Sequence, residues 1–116
     1  MSYIDGFILP LQDGKLDEYR GMAETFARKA TDQGAIGSLE AIGDGLEHGH
    51  TTDFFRAVQA QEGENVVFSF IVWPDKATRD KAWEACMKDP RMKPEGEAPF
   101  NEKRMFWGGF EPIFDA

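Results

Sequence analysis

Runs of alternating side chains mark this sequence, and two of the runs carry apolar residues on both of their faces. In an extended chain, successive side chains point to opposite sides. In the segment 103–111, one side holds Met105, Trp107, Gly109 and Glu111, and the other holds Phe106, Gly108 and Phe110. In the segment 65–73, Phe68 and Phe70 face away from Ile71 and Trp73. A small antiparallel sheet ordinarily keeps one face polar, so this pattern predicts that both faces are covered.

Six elements are predicted along the chain. Strands are predicted over 3–11, 35–48, 65–73 and 103–114, and helices over 15–33 and 75–88. Asp13 is placed to cap the first helix and Gly34 to end it. Asp75 is placed to cap the second helix, and Asp89-Pro90 is placed to stop it. Residues 48–60 are predicted to form a loop with a short strand over 55–58.

One face of the second helix is predicted to be buried. Its apolar stripe consists of Ala82, Trp83, Cys86 and Met87. Cys86 is the single cysteine of the chain, so no disulfide can form within it, and a small buried thiol is the ordinary interpretation.

The order β-α-β-β-α-β is that of the ferredoxin-like split βαβ unit, which is an α+β fold. It predicts one domain over residues 1–116, with a four-stranded antiparallel sheet and two helices on one face. A chain of 116 residues is too short to cover the other face as well. We therefore expect a second copy to cover it, which makes the protein a homodimer.

The charge and the hydropathy narrow the classes of partner. The net charge is −8, with 21 acidic residues against 13 basic ones, so binding to nucleic acid is not expected. No apolar run approaches the length of a transmembrane helix, and the short run Phe7-Ile8-Leu9 is interrupted at Pro10. We expect a cytoplasmic protein without a membrane partner.

Several segments, in this order along the chain, together resemble one known family: Tyr3-Ile4-Asp5-Gly6-Phe7, Val67-Phe68-Ser69-Phe70, Arg79-Asp80, Asp89-Pro90-Arg91-Met92, Pro99-Phe100 and Arg104-Met105-Phe106-Trp107-Gly108-Gly109-Phe110. They resemble the uncharacterised YbaA-like bacterial family, a domain of unknown function in the dimeric α/β-barrel superfamily. The resemblance implies a homodimer whose two sheets form a barrel, and it brings no established catalytic residues. Superfamily relatives include cofactor-independent monooxygenases and stress-induced dimers, so it also implies a pocket between sheet and helices, lined by aromatic residues.

Two strand carboxylates are candidates for acid–base chemistry. In the ferredoxin-like order the first and last strands are antiparallel neighbours, so Asp5 faces Glu111 if Phe7 lies opposite Gly109. Two facing carboxylates would retain one proton and form an acid–base pair. The structural alternative is a different register, or a carboxylate that meets Arg104 or water.

The two histidines of the chain form a second candidate. His48 and His50 have the spacing of one strand face, with Glu47 or Asp53 as a further oxygen ligand. A zinc site needs three or four convergent ligands, so an exposed loop without a metal is the preferred interpretation. His48 stays a candidate general base, because imidazole titrates near neutral pH.

Aromatic residues form the third candidate, a pocket for a flat aromatic ligand. Its residues would be Tyr3, Phe68, Trp83 and Trp107 with Trp73, and Arg79 could bind an anionic group at the rim. The alternatives are core or dimer interface for the aromatic residues, and a helix-to-sheet ion pair for Arg79.

Two functions remain open at this point. One is binding of a small molecule in a pocket between sheet and helices, with the protein acting as a cofactor-independent enzyme on an aromatic substrate. The other is a homodimeric interaction or stress-associated protein without chemistry of its own. A pocket of a few hundred cubic ångströms with a polar group inside would favour the first.

Overall fold

Four antiparallel strands form one sheet, which carries two long helices on a single face. The computed structural model describes residues 2–88 and 98–115. Its strands are β1 (Tyr3–Gln12), β2 (Gly37–Ile42), β3 (Glu64–Trp73) and β4 (Phe106–Phe110), and its helices are α1 (Leu16–Asp32), α2 (Phe54–Ala57) and α3 (Lys76–Lys88). The strand order β2-β3-β1-β4 confirms the predicted ferredoxin-like α+β fold. No helix in the described ranges has the length and apolar character needed to cross a membrane.

The core lies between the sheet and the two long helices. One cluster joins β1 and β3 to α1 through Leu9, Leu11, Tyr19, Ala23 and Val67. A second cluster joins β3 to both helices through Ala30, Ala35, Ile71, Trp73 and Ala82. The helix-facing side of β3 is therefore the row that includes Val67, Ile71 and Trp73, because side chains two residues apart share a face.

The opposite side of the sheet, here termed the helix-free face, is apolar, and the described chain leaves it open except at the end where Pro10 and Val66 are buried. Its larger side chains are Ile4, Ile8, Leu39, Phe68, Phe70, Phe106 and Phe110, which the strand register places together. Phe68 and Phe106 are each 46 % exposed, and Phe110 is 63 % exposed. The predicted distribution of apolar residues on both faces is thus confirmed.

The ends of the helices agree with two of the three predicted signals that fall on described residues. Gly34, with φ of 108°, follows α1, and the N–H of Ala35 donates to the carbonyl of Ala30 at 2.9 Å. Asp75 caps α3, since its Oδ1 accepts the N–H of Thr78 at 2.7 Å. The predicted cap by Asp13 is wrong, because α1 starts without a side-chain cap and the Asp13 N–H donates to the carbonyl of Gly63 instead.

Some predicted boundaries are also wrong. The expected strand over 55–58 is the short helix α2, because Asp53 accepts the N–H of Arg56 at 2.7 Å and so caps a helical turn. The last strand begins later than predicted, since Glu102–Arg104 form a 3-10 turn capped by Asn101. It ends at Phe110, which pairs with Ile4 near the start of β1. The second strand covers residues 37–42 and not 35–48.

The predicted stripe of α3 is correct in part. Ala82 is buried and Cys86 is half-buried, but Met87 is 86 % exposed. Consecutive helical residues are about 100° apart, so a stripe centred on Ala82 and Cys86 turns Met87 toward solvent. The predicted helix stop at Asp89-Pro90 lies outside the described residues.

Candidate functional site

A pocket of about 470 Å³ lies between the sheet and α1, closed at one side by α3 and by the segment before β4. Its aromatic walls are Phe7, Tyr19, Phe26, Trp83, Phe100 and Trp107. Its polar side chains are Thr25, Lys29, Glu40, Ser69 and Glu102. The pocket is an open cleft in the part of the chain that the structure describes, and most of its lining is apolar.

Glu40 and Glu102 are the carboxylates that line this pocket, both are exposed residues, and two hydroxyl groups hold Glu40. The hydroxyl of Tyr19 donates to Oε2 of Glu40 at 2.6 Å, and Oγ of Ser69 donates to Oε1 at 2.8 Å. Glu40 and Ser69 are direct cross-strand partners, and Tyr19 reaches them from α1. Each carboxylate oxygen therefore has one protein donor, which fixes the orientation of the group.

Tyr19 keeps its proton in this arrangement. Its side chain is buried, and burial is the main reason why the pKa of Tyr19 is raised far above its ordinary range. The hydrogen bond to Glu40 raises the pKa of Tyr19 further, because a neighbouring carboxylate disfavours the phenolate. The pair is consequently a neutral phenol donating to a carboxylate.

A further carboxylate, Asp5, lies on the same helix-facing side of the sheet but is fully buried. We term Asp5, Trp73, Arg79 and Trp83 the Asp5 cluster. Oδ2 of Asp5 accepts the indole N–H groups of Trp73 at 2.9 Å and Trp83 at 2.7 Å. Nη2 of Arg79 donates to Oδ1 at 2.8 Å, and the Asp5 side chain is 0 % exposed. The acceptor positions of Asp5 are filled, so it acts as an internal anchor for two tryptophans.

Arg79 confirms the predicted helix-to-sheet ion pair. Its bonds to Asp5 raise the pKa of Arg79 further above the ordinary value, so the guanidinium stays charged. It also bonds to Asp80 at 3.0 Å. The guanidinium faces the rings of Tyr3 and Trp107, with its carbon 5.3 Å and 5.8 Å from the two ring centroids.

The predicted facing pair of Asp5 and Glu111 is not formed. The register places Asp5 opposite Gly109 and Phe7 opposite Trp107, two residues away from the predicted register. A Cβ at position 109 would overlap the hydroxyl of Tyr3, so the glycine makes room for that ring beside Asp5. Glu111 is exposed and follows the end of β4.

The histidines lie away from the pocket. His48 is 76 % exposed, stacks on Phe55 at 4.7 Å and has Nδ1 3.6 Å from Asp53. His50 contributes its backbone carbonyl, which accepts a bond from Arg56 at 2.8 Å. The preferred interpretation of an exposed loop is confirmed, and the alternative of a strand pair is wrong, because this segment is a loop leading to α2. No set of three or more metal-ligating side chains converges within residues 2–88 and 98–115.

The residues predicted to bind an aromatic ligand fall into three groups. Trp83 and Trp107 line the pocket, with ring centroids 5.0 Å apart and planes at 29°. Tyr3 and Arg79 lie behind them, next to Asp5, and do not line the pocket. Phe68 lies on the helix-free face, because it alternates with Ser69 along β3, and its assignment to the pocket is wrong.

Sequence reasoning missed the polar centre of the pocket. Tyr19, Glu40 and Ser69 were not among the candidate site residues predicted from the sequence. A signal was present in β3, where Ser69 interrupts the row of Val67, Ile71 and Trp73. A buried hydroxyl in such a row needs a hydrogen-bond partner from another element.

The fold and the pocket together define a small ferredoxin-like domain with a ligand-sized cleft between sheet and helices. Residues 2–102 match the family described as "Protein of unknown function (DUF1428)", and the chain belongs to this family. It is 46 % identical over 116 residues to "Uncharacterized protein YbaA" of Escherichia coli strain K12, with 99 % of each chain covered. The resemblance indicated by the sequence segments is thereby confirmed.

Solved structures share the fold at low sequence identity. A dimeric ferredoxin-like protein from an uncultured marine organism matches with a TM-score of 0.56 and 7 % identity, covering 100 % of each chain. A Bacillus cereus protein, named for a proposed antibiotic biosynthesis monooxygenase activity, matches with a TM-score of 0.51 and 11 % identity. That match covers 99 % of this chain and 96 % of the other. These likenesses show the fold alone.

Proposed function

We propose that this protein binds a flat, largely apolar small molecule in the pocket between sheet and helices. The observation that carries the proposal is a pocket of about 470 Å³ with an oriented carboxylate, Glu40, inside mostly apolar walls. Ligand pockets typically measure about 300–1,000 Å³ and combine apolar walls with a few placed polar groups. Both properties are met here.

The geometry of the aromatic wall favours a planar ligand. Phe7 stacks on Trp107 with centroids 5.9 Å apart and planes at 23°. Trp83 stacks on Trp107 with centroids 5.0 Å apart and planes at 29°, and its indole N–H donates a hydrogen bond to Asp5. The planes of Phe7 and Trp83 are tilted by 52° to each other, so Trp107 is the ring that lies near-parallel to both. Aromatic rings held in this way offer faces on which a further ring can stack.

The groups in the pocket support acid–base chemistry on such a molecule. The carboxylate of Glu40 can accept a proton, and the hydroxyls of Tyr19 and Ser69 hold it in place. The proposed activity is that of a cofactor-independent enzyme acting on an aromatic substrate. This proposal rests on the side chains in the pocket of this chain. The low-identity likeness to the Bacillus cereus protein supports the shared fold and nothing further.

Binding is tested by calorimetric titration with 2-naphthol, 2-tetralone and 7-hydroxycoumarin. We expect saturable binding to the wild type and at least about tenfold weaker binding to Trp107→Ala, which removes the central ring of the wall. Phe68→Ala is the matched control, because it removes an aromatic ring from the opposite face of the same sheet. A wild type that binds none of the three compounds, or equal affinities of Trp107→Ala and the wild type, would contradict the proposal.

We also propose that two copies associate through the helix-free face. Exposed phenylalanines at positions 68, 106 and 110 lie together there, and burial of such apolar area drives association. A C2 pair would bring the same face of each copy together. The structurally similar marine protein is itself described as dimeric, which supports the proposal.

Sedimentation velocity at micromolar concentration tests the dimer. We expect a dimer for the wild type and a monomer for Phe68→Glu, which places a charge at the centre of the face. Ile113→Glu is the matched control, because Ile113 is fully exposed and lies after the end of β4. A monomeric wild type would overturn this part of the proposal.

The apolar face also favours a second candidate function, a non-catalytic protein that acts through association. The two candidates separate experimentally. A dimeric wild type that binds none of the planar compounds supports the association function, whereas ligand binding that Trp107→Ala weakens supports the pocket.

A further inference from the structure

We infer that Glu40 is a catalytic proton acceptor, which removes a carbon-bound proton next to a carbonyl group of a flat ketone in the pocket. The inference rests on the proposed function, because it needs a ligand at this site. It assigns the class of substrate, an aromatic ketone that can enolise, and the class of reaction, keto–enol proton transfer.

The contrast between two carboxylates carries the assignment. Asp5 is 0 % exposed, and a guanidinium and two indole N–H groups occupy its oxygens. Glu40 lines the pocket, and its hydrogen-bond partners within the described residues are two neutral hydroxyls. A carboxylate oxygen has two lone pairs, so each oxygen of Glu40 keeps one for a proton of the ligand.

The two hydroxyls that hold Glu40 are uncharged, and the charged side chains that share the pocket lining with it are Lys29 and Glu102. Ser69 donates from the neighbouring strand and Tyr19 from α1, so two separate elements fix the carboxylate. Tyr19 cannot take over the negative charge, because its burial keeps the phenol protonated. A base that is oriented before the substrate arrives does not have to be reoriented during the reaction. Tyr19 and Ser69 are therefore positioning residues.

The walls specify the shape of the substrate. The stacked rings of Phe7, Trp83 and Trp107 form one side of the pocket, which suits a planar fused ring system. Glu40 lies on β2 at one edge of the sheet, and Trp107 lies on β4 at the other edge, with β3 and β1 between them. Phe7 is the wall residue nearest to Glu40 in the sheet, because Ser69 pairs with Phe7 on one side and with Glu40 on the other. A fused bicyclic ketone that stacks on Phe7 can therefore point its acidic carbon toward Glu40.

The proposed step is balanced without a further reactant. The bond between carbon and hydrogen breaks as a carboxylate oxygen of Glu40 forms a bond to the proton. The electron pair moves to the carbonyl oxygen and leaves an enolate. Return of the proton to that oxygen gives the enol, and return to carbon regenerates the ketone. No oxidant or reductant is consumed, and a positioned base typically contributes about 10²–10⁴-fold to such a step.

The experiment follows hydrogen–deuterium exchange of 2-tetralone, whose acidic carbon lies between the ring and the carbonyl. The protein is incubated with 2-tetralone in deuterated buffer, and the loss of that proton signal is measured by NMR. We expect the wild type to accelerate exchange above the buffer rate and Glu40→Gln to lose about 10²-fold or more of this acceleration. Glutamine has the size of glutamate and still accepts hydrogen bonds, so binding of 2-tetralone should change by less than about threefold.

The controls distinguish the loss of a catalytic base from a general loss of structure. Glu84→Gln makes the same change of charge at an exposed position of α3 outside the pocket and should exchange like the wild type. Retained binding of 2-tetralone together with lost exchange in Glu40→Gln is a result that a purely structural role would not produce.

The outcomes are distinct. If the wild type binds 2-tetralone without accelerating exchange, or if Glu40→Gln exchanges as fast as the wild type, the inference is overturned and the binding function stands. If the wild type binds none of the planar compounds, the proposed function and this inference both fail.

Discussion

The indole N–H of Trp83 donates a 2.7 Å hydrogen bond to Oδ2 of Asp5, which connects a wall of the pocket to a fully buried carboxylate. Trp83 stacks on Trp107, so the position of both rings depends on this bond. Asp5 is therefore a residue of the fold that also shapes the candidate site. Its surroundings, and not its residue type, distinguish it from the carboxylate of Glu40.

Replacement of Asp5 should strongly destabilise the protein. Asp5→Asn leaves the guanidinium of Arg79 without its buried counter-charge, so we expect a loss of about 3–5 kcal/mol in the free energy of unfolding, measured with urea. Asp80→Asn is the control, because it removes the more exposed partner of the same arginine and should cost less than about 1 kcal/mol. Similar losses in both variants would show that Asp5 is not the anchor.

Tyr19 predicts a loss of stability at alkaline pH. The pKa of Tyr19 is raised in the folded protein by burial, whereas the unfolded chain ionises near the ordinary value of 10.0. The stabilisation that the protonated Tyr19 phenol gives the folded protein is fully present below pH 10. It is lost as the pH rises above that value, by up to about 1.4 kcal/mol per pH unit. Tyr19→Phe should show a shallower fall of the unfolding free energy over this range, and coincident curves for the two proteins would contradict the assignment.

Glu64 and Arg104 predict a loss of stability at acid pH. Nη1 of Arg104 lies 2.6 Å from Oε1 of Glu64 and Nη2 lies 2.7 Å from Oε2, which lowers the pKa of Glu64 below its ordinary value of 4.5. The stabilisation is present above pH 4.5 and is lost as the pH falls through the lower folded pKa. Glu64→Gln should cost about 2 kcal/mol at neutral pH and flatten the acid limb of the unfolding curve.

A matched control is available for this pair. Glu84→Gln breaks an exposed pair with Lys88 on α3 and should change the unfolding free energy by less than about 0.5 kcal/mol. An acid limb that is unchanged in Glu64→Gln would assign the loss of stability to other carboxylates.

Two glycines should respond with opposite sign to alanine. At Gly109 the added Cβ would overlap the hydroxyl and ring of Tyr3, so Gly109→Ala should destabilise by about 1–3 kcal/mol. At Gly21, within α1, nothing lies within 4 Å of the added Cβ, so Gly21→Ala should stabilise by about 0.5–1 kcal/mol. Thermal unfolding measures both, and a tolerant Gly109 would show that the Tyr3 ring can move away.

The alternation in the sequence is enough to predict the two faces of the sheet. Phe68 and Ser69 must point in opposite directions whatever surrounds them, because the direction of a side chain in a strand repeats every two residues. Gly34 and Asp75 are similarly local signals, since a positive φ and a helix cap involve only the neighbouring backbone. The element order and its ferredoxin-like arrangement rest on such local signals.

The register of β1 and β4 is not a local property. Slipping the pair by two residues keeps every side chain on its own face, so alternation cannot distinguish Gly109 from Glu111 as the partner of Asp5. Steric fit determines the register of this pair, because the Tyr3 ring occupies the volume that a side chain at position 109 would need.

The polar centre of the pocket arises in the same way from residues far apart in sequence. Tyr19 and Ser69 lie 21 and 29 positions from Glu40, on α1 and β3, and meet it on the helix-facing side of the sheet. The sequence shows a carboxylate in a strand and a hydroxyl within an apolar row. Their association follows from the packing of α1 across β2 and β3, because a buried hydroxyl must find its acceptor among the groups that packing brings within reach.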